Sequence, residues 1–419
     1  MQAIAACAQL VPVLCARFTF GELLRKHLKP GLHPNRLGPV VKTTGPIVAY
    51  SALSGAAVRA MSRSTGRLMR EARREPAGSA KGSKCMSRPK VYVTRKLPQV
   101  ALDKIAEVCD MEVWEGELPP PRDTILEKAK DCDGILSLLT DKMDAQLMDA
   151  CPNLRVISNY AVGFDNIEVP AATARRIQVG NTPGVLTETT ADLAFTLLMA
   201  AARRIAEADR FTRAGEWKTW GPMLLLGQDI HHATLGIVGL GRIGKEMAKR
   251  GKGFDMKLYY YDERRDEQAE NDLGIEYKDL DSLIRESDFI SLHVPLMDST
   301  RHLIGDREFG MMKPTAILVN SARGPVVDQK ALYDALKAGK IAGAGLDVFE
   351  VEPIDANDPL LTLDNVVVAP HIASGSIATR TKMALMAAEN LIAGVHCEPI
   401  PYKANPEVDT DFRGCKAAG

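Results

Sequence analysis

The chain has 419 residues, 46% of them apolar, which is enough for one or two full cores, so two domains and an additional segment are expected. No apolar run reaches the ~18 residues that cross a bilayer, since even the first stretch is interrupted by Gln9 and Arg17, and a membrane partner is not expected. The zero net charge conceals a division: residues 1–88 hold 15 Lys or Arg against Glu22, Glu71 and Glu75, a net of +12, which leaves −12 on the other 331 and argues against nucleic acid as a partner of the folded part.

Residues 1–88 show no sustained helical or alternating period and are rich in Arg, Ala and hydroxyl residues, as in "SALSGAAVRAMSRSTGRLMREARR". That composition suits a transit peptide for a mitochondrial matrix or a plastid. A disordered tail, or an upstream stretch with Met86 as the working start of a cytoplasmic protein, is the alternative. The eight cysteines (7, 15, 85, 109, 132, 151, 397 and 415) form no CxxC pair. Neither a metal site nor a disulfide framework is expected, and free thiols in a reducing compartment are the simpler reading.

From Lys90 short apolar runs alternate with helical periods: "KVYVT", "QVALDKIAEV", "GILSLL", "LRVISNYA". Such βαβ alternation predicts a parallel sheet covered on both faces. At Thr187 one long helix is expected, "TETTADLAFTLLMAAARRIAEADRF", capped by its leading Thr and Glu, and leading into another domain. Six strands follow, expected at 235–239, 256–262, 288–294, 316–320, 343–348 and 365–369, and a helix at about 376–394 returns to the first domain. The fold class is therefore α/β, with two Rossmann-like or flavodoxin-like parallel-sheet domains and a cleft between them. The expected boundaries are 89–187 plus 372–408 for a substrate-binding domain, 188–371 for a nucleotide-binding domain and 409–419 for a tail.

Within "TLGIVGLGRIGKEMAKR", Gly239, Gly241 and Gly244 follow an apolar strand and open a helix. That context turns a weak glycine pattern into a dinucleotide loop, with unpaired amides and the positive helix end facing a pyrophosphate. The next strand, "MKLYYYD", ends in Asp262, near the spacing at which a carboxylate takes the adenosine ribose hydroxyls. That acid favours NAD(H) as cofactor, while Arg264 and Arg265 keep NADP(H) possible.

Three later stretches supply acid–base chemistry: Arg323 in "VNSARGPVVD", Asp347 and Glu352 in "GLDVFEVEP", and His371 in "NVVVAPHIASGS". Reducing a keto group requires a proton donor that titrates near neutrality, and a cation to fix the substrate carboxylate. His371 and Arg323 have that chemistry, and Glu352 on the far imidazole nitrogen would hold the tautomer.

At these residues the chain resembles the D-2-hydroxyacid dehydrogenase family, within it the glyoxylate and hydroxypyruvate reductases, through "NYAVGFDNI", "NTPGVLTETTADLA", "FTRAGEW", "GIVGLGRIG", "HVPLMDSTRHLI", "ILVNSARGPVVD", "GAGLDVFEVEP" and "VVVAPHIAS". The motifs cover nearly everything from Lys90 to about Val408. The resemblance implies NAD(P)H-dependent reduction of a small 2-oxo acid, with Arg323, Glu352 and His371 as the catalytic set and the amides of Val162 and Gly163 receiving the substrate carboxylate. It further implies Arg242 and Ile243 at the pyrophosphate, Pro295 and Thr300 near the adenosine half, Asp347 at the nicotinamide carboxamide, and a homodimer. After His371 the reductases often read Gly-Ser-Ala-Thr, where this chain has "ASGSIAT". The rival readings are a short-form phosphoglycerate dehydrogenase and an NADH-sensing, corepressor-like binding protein. A formate dehydrogenase is disfavoured, because that branch pairs its His with Gln.

Overall fold

A computed structural model describes residues 88–408 and 411–415, all within one compact unit that spans 85–419. The basic extension and the transit peptide expected within it lie outside the described residues, apart from Arg88.

The first half contains β1 (Lys90–Val93), α1 (Gln99–Val108), β2 (Asp110–Val113), α2 (Arg122–Ala129), β3 (Gly134–Ser137), α3 (Ala145–Ala150), β4 (Val156–Asn159), α4 (Val169–Ala174) and β5 (Gln178–Gly180). Its strands pair in parallel in the order β2-β1-β3-β4-β5, the flavodoxin-like order. β3 and β4 are buried along their whole length, as continuous apolar strands covered on both faces must be.

The second half runs through α5 (Thr187–Ala202), α6 (Ile205–Arg213), β6 (Thr234–Val238), α7 (Arg242–Lys252), β7 (Lys257–Tyr261), α8 (Glu267–Leu273), β8 (Glu276–Tyr277), α9 (Leu280–Glu286), β9 (Phe289–Leu292), α10 (Asp306–Met311), β10 (Ile317–Asn320), α11 (Gln329–Lys337), β11 (Gly343–Leu346) and β12 (Val366–Val368). The order is β12-β11-β10-β9-β6-β7-β8, all parallel. Chain direction across the sheet reverses between β6 and β9, and the crevice outside the carboxyl ends of those two strands is where ligands of such sheets bind. This sheet has seven strands where six were expected. The addition, β8, is two residues long and carries no alternating pattern of its own.

Each sheet is covered on both faces. On the first, one core joins Val91, Val93 and Leu136 to Ile105 of α1, and the other joins Ile135 and Ile157 to Ile125, Leu147 and Ala172. On the second, Phe195, Leu198 and Met247 cover one face while Leu283, Phe309 and Leu332 cover the other. The last helix, α12 (Ile377–Val395), buries Met383, Ala384, Ala387, Ala388 and Leu391 against the first sheet, so the chain returns after β12 to the half it left at α5.

The long helix expected from Thr187 is two helices. Arg204 adopts a left-handed conformation, φ +55°, between α5 and α6, although the apolar stripe of the sequence runs on without a break. Nor do Thr187 and Glu188 cap α5: the capping position is Leu186, with no side-chain hydrogen bond. The free-thiol expectation is also corrected, because Cys397 and Cys415 are disulfide-bonded, with Cα atoms 5.6 Å apart. A two-residue CxxC rule misses this pair because the chain turns back after α12. Cys109, Cys132 and Cys151 are free and buried. Among the described residues no helix is long and apolar enough to cross a membrane.

Candidate active site

The glycine loop forms between β6 and α7, at the reversal point of the second sheet. Gly239 has φ +95°, a conformation that side chains rarely adopt, and its amide donates to the Tyr261 carbonyl. A Cβ on Gly244 would lie 2.2 Å from the Gly239 carbonyl oxygen, so that glycine lets helix and loop meet. Gly241 differs from both: a Cβ there would meet nothing within 4 Å. Gly239 and Gly244 thus serve the loop itself, while Gly241 leaves open space at the start of α7. At the end of β9, His293 shares a 2.9 Å hydrogen bond with Ser291 Oγ, and burial pushes its imidazole down to about 4, so it adds no positive charge beside the loop near neutral pH.

Asp262 stands at the end of β7, where its Oδ2 accepts from the Leu240 amide at 2.8 Å. With Leu240, Arg264, Arg265, Asp266 and Glu267 it lines an open hollow of about 470 Å³. The two arginines are held differently: Arg265 makes two 2.8 Å hydrogen bonds to Glu270, whereas the Arg264 side chain has no partner among the described residues. Thr300 accepts from the Met297 amide and donates to the Pro295 carbonyl, and so shapes the loop that carries the exposed Pro295.

Arg323, Asp347 and His371 follow the carboxyl ends of three adjacent parallel strands, β10, β11 and β12, with Glu352 in the turn beyond β11. Their turns are tied to one another. Asn320 donates to the Arg323 carbonyl and accepts from the Ala322 amide, while the Asp347 amide donates to the Asn320 carbonyl and the His371 amide to that of Asp347. Glu352 bridges two groups: Oε1 accepts from the Phe349 amide at 3.1 Å, and Oε2 stands 2.6 Å from His371 Nδ1. Burial pushes the Glu352 carboxyl up. The His371 hydrogen bond and charge, the Phe349 amide and the Arg323 charge outweigh that and hold the group below the usual carboxylate range.

Asp347 is fully buried, and its two oxygens accept from the Ile372 and Ala373 amides at 2.7 and 2.8 Å. It therefore fastens the backbone immediately after His371. The "ASGSIAT" departure has a structural use here, since Ser376 Oγ caps α12 by accepting from the Thr379 amide.

From the first half, the 161–166 loop comes to the same place. Asn159 donates to the Gly163 carbonyl and Asn181 to that of Val162. Among the described residues nothing accepts from the Val162 or Gly163 amides. Arg323 reaches across to this loop, with Nη2 3.1 Å from Asp165 Oδ1. Sequence reading passed over Asp165, and the signal available was an acid inside the "NYAVGFDNI" motif.

The family model described as "D-isomer specific 2-hydroxyacid dehydrogenase, NAD binding domain" matches residues 195–373. A glyoxylate reductase of Korarchaeum cryptofilum (strain OPF8) is 58% identical over 322 residues, which are 77% of this chain and 97% of that protein. The chain belongs to the D-2-hydroxyacid dehydrogenase family. Among solved structures it is similar to the TT0316 protein of Thermus thermophilus, with 42% identity, a TM-score of 0.72, and coverage of 75% of this chain and 100% of that one. It is also similar to an NADPH-dependent glyoxylate/hydroxypyruvate reductase of Sinorhizobium meliloti, in complex with NADP and malonate, with 34% identity, a TM-score of 0.70, and coverage of 79% of this chain and 100% of that one. As a member of this family the chain is an oxidoreductase that uses a nicotinamide dinucleotide. The open space at Gly241, the α7 N-terminus and the Asp262 carboxylate fit such a group in shape and charge.

Proposed function

We propose that this D-2-hydroxyacid dehydrogenase reduces small 2-oxo acids, glyoxylate to glycolate and hydroxypyruvate to D-glycerate, and prefers NADH to NADPH. The observation that carries this is the 2.6 Å contact of His371 Nδ1 with Glu352 Oε2, next to the strand that delivers Arg323. With Nδ1–H donating to the carboxylate, Nε2 is the nitrogen that delivers a proton to the carbonyl oxygen. The negative Glu352 stabilises the charged imidazole before transfer. The Arg323 guanidinium and the Val162 and Gly163 amides bind the substrate carboxylate and orient the keto carbon. The bound nicotinamide supplies the reducing equivalent.

In this reading the Arg242 and Ile243 amides hold the pyrophosphate, Asp262 the ribose hydroxyls, and Pro295 and Thr300 border the adenosine half. Asp347 acts through the His371 loop. The substrate domain comprises 89–187 plus 372–408, and the nucleotide domain 188–371. NADH is preferred because Asp262 repels a 2′-phosphate and Glu270 already engages Arg265. The unpartnered Arg264 side chain favours NADPH as the second reading.

The exposed Trp217, Trp220, Met223 and Leu226 in the nucleotide half support a homodimer, which light scattering tests. The basic extension is proposed as an organelle transit peptide, which N-terminal sequencing of the mature protein tests. NADH absorbance in the presence of glyoxylate or hydroxypyruvate tests the activity itself: turnover is expected, and its absence with both acids overturns the assignment.

A further inference from the structure

Arg323 is seated by both halves of the molecule. From its own turn it donates Nη1–H to the Ala322 carbonyl at 2.8 Å. From the other half, Asp165 Oδ1 accepts from Nη2 at 3.1 Å and from Nε at 3.4 Å. The Nε/Nη2 pair is the side edge of a guanidinium, so Asp165 occupies that edge. Three of the five N–H groups are then used, which leaves two for an incoming anion. Gly163 completes the seat, since a Cβ there would fall 1.9 Å from Arg323 Nη2 and displace the guanidinium. Beneath it the loop is fixed, with Asn166 Nδ2 donating to the Leu138 and Asp141 carbonyls at 3.0 and 2.9 Å and Asn159 holding the Gly163 carbonyl at 3.0 Å.

We propose that Asp165 is a positioning residue: it holds the Arg323 guanidinium over Gly163 by the side edge and so presents the remaining donors to the substrate carboxylate. That this anion is a 2-oxo acid rests on the reductase reading. A purely structural role for the pair is a poor account of it, because Asp165 is 51% and Arg323 25% exposed at the side chain, and exposed ion pairs contribute little to stability. A role as internal competitor for the substrate is also disfavoured, since a competitor would occupy the end of the guanidinium rather than its side. The value of the pair is orientation: a charge-assisted bond between the two sheets locks the planar fork in one plane.

Two measurements on the full chain test this. Phenylglyoxal modification of Arg323, followed by peptide mass spectrometry without substrate, is expected to run several-fold faster in Asp165→Ala than in the wild type. Steady-state kinetics is expected to show KM for glyoxylate raised about 10–100-fold in Asp165→Ala, with kcat and the KM for NADH nearly unchanged. Asp165→Asn, which keeps an acceptor oxygen, falls between the two. Melting temperatures within about 2 °C of each other show that the variants fold. Unchanged Arg323 reactivity, or a KM that is unchanged or lower in Asp165→Ala, overturns the proposal. If the wild type turns over no 2-oxo acid while Arg323 reactivity still responds to Asp165, the reductase reading falls and the seat stands.

Discussion

The two halves contribute to the site by different means. The second sheet supplies side chains: Arg323, Glu352 and His371 stand at the ends of neighbouring strands, and each turn is bonded to the next through Asn320, Asp347 and Phe349. The first sheet supplies mainly backbone, the Val162 and Gly163 amides on a loop pinned by Asn159, Asn166 and Asn181, with the Asp165 carboxylate reaching Arg323. Acid–base chemistry needs groups held to fractions of an ångström, and adjacent strand ends provide that. Recognition of a small carboxylate needs only donors in the right direction, which a fixed loop provides. The difference predicts that changes at Glu352 and His371 act on turnover and changes in the 161–166 loop act on substrate binding.

The largest effect tests the second half directly. His371→Ala is expected to lose about 10²–10⁴-fold in kcat, the usual contribution of a positioned acid, with NADH affinity by fluorescence titration unchanged. A loss confined to KM would place the proton donor elsewhere. Glu352→Gln should also lower kcat, by up to about 10⁴-fold, the loss that follows when the carboxylate orienting a working histidine becomes an amide. It also carries a pH signature. The folded-state carboxyl lies below its unfolded value, so its contribution to stability is present above about pH 4.3 and is lost as pH falls through the folded value. The difference in melting temperature between wild type and Glu352→Gln should therefore shrink on acidification. A difference that grows would reverse the sign assigned to the His371 pair.

The same division explains what could be read from sequence. The glycine loop, Asp262 and the strand-end residues are local: each follows an apolar run at a spacing set by one strand and one turn, so the chain writes them in order. The break at Arg204 was hidden because the apolar stripe continues through it, and β8 because two residues carry no period. The seat of Arg323 was hidden for a different reason. Asp165 and Arg323 are 158 positions apart, and only the mutual placement of two sheets brings them together. Asp347 shows a third limit, because its position at a strand end was legible while its full burial beneath the His371 loop was not.

A smaller effect separates cofactor from chemistry within the second half. Asp262→Ala removes the carboxylate from the hollow beside Leu240, and NADH affinity is expected to fall about tenfold, the worth of one charged hydrogen bond. The ratio of NADH to NADPH affinity should narrow as well, because the repulsion of a 2′-phosphate goes with the charge. Unchanged affinities for both would remove Asp262 from the ribose.

The smallest effect belongs to the first half and lies outside the site. The Cys397–Cys415 disulfide closes a loop of 18 residues and keeps residues 411–415 against the first half, where Phe412 is buried and Arg413 donates to the Met148 and Arg176 carbonyls. Cross-linking a loop of that size contributes at most about 3 kcal/mol, through the entropy of the unfolded chain. In a protein this large that is a change in melting temperature of only a few degrees. Reductant is therefore expected to lower the melting temperature of the wild type slightly and that of Cys415→Ser not at all, with kcat and KM the same in both, because among the described residues no hydrogen bond or ion pair joins 411–415 to Arg323 or to the 161–166 loop. A loss of turnover on reduction would mean that the tail is coupled to the substrate loop through α3 and α4, and the two halves would then differ less than their contributions to the site suggest.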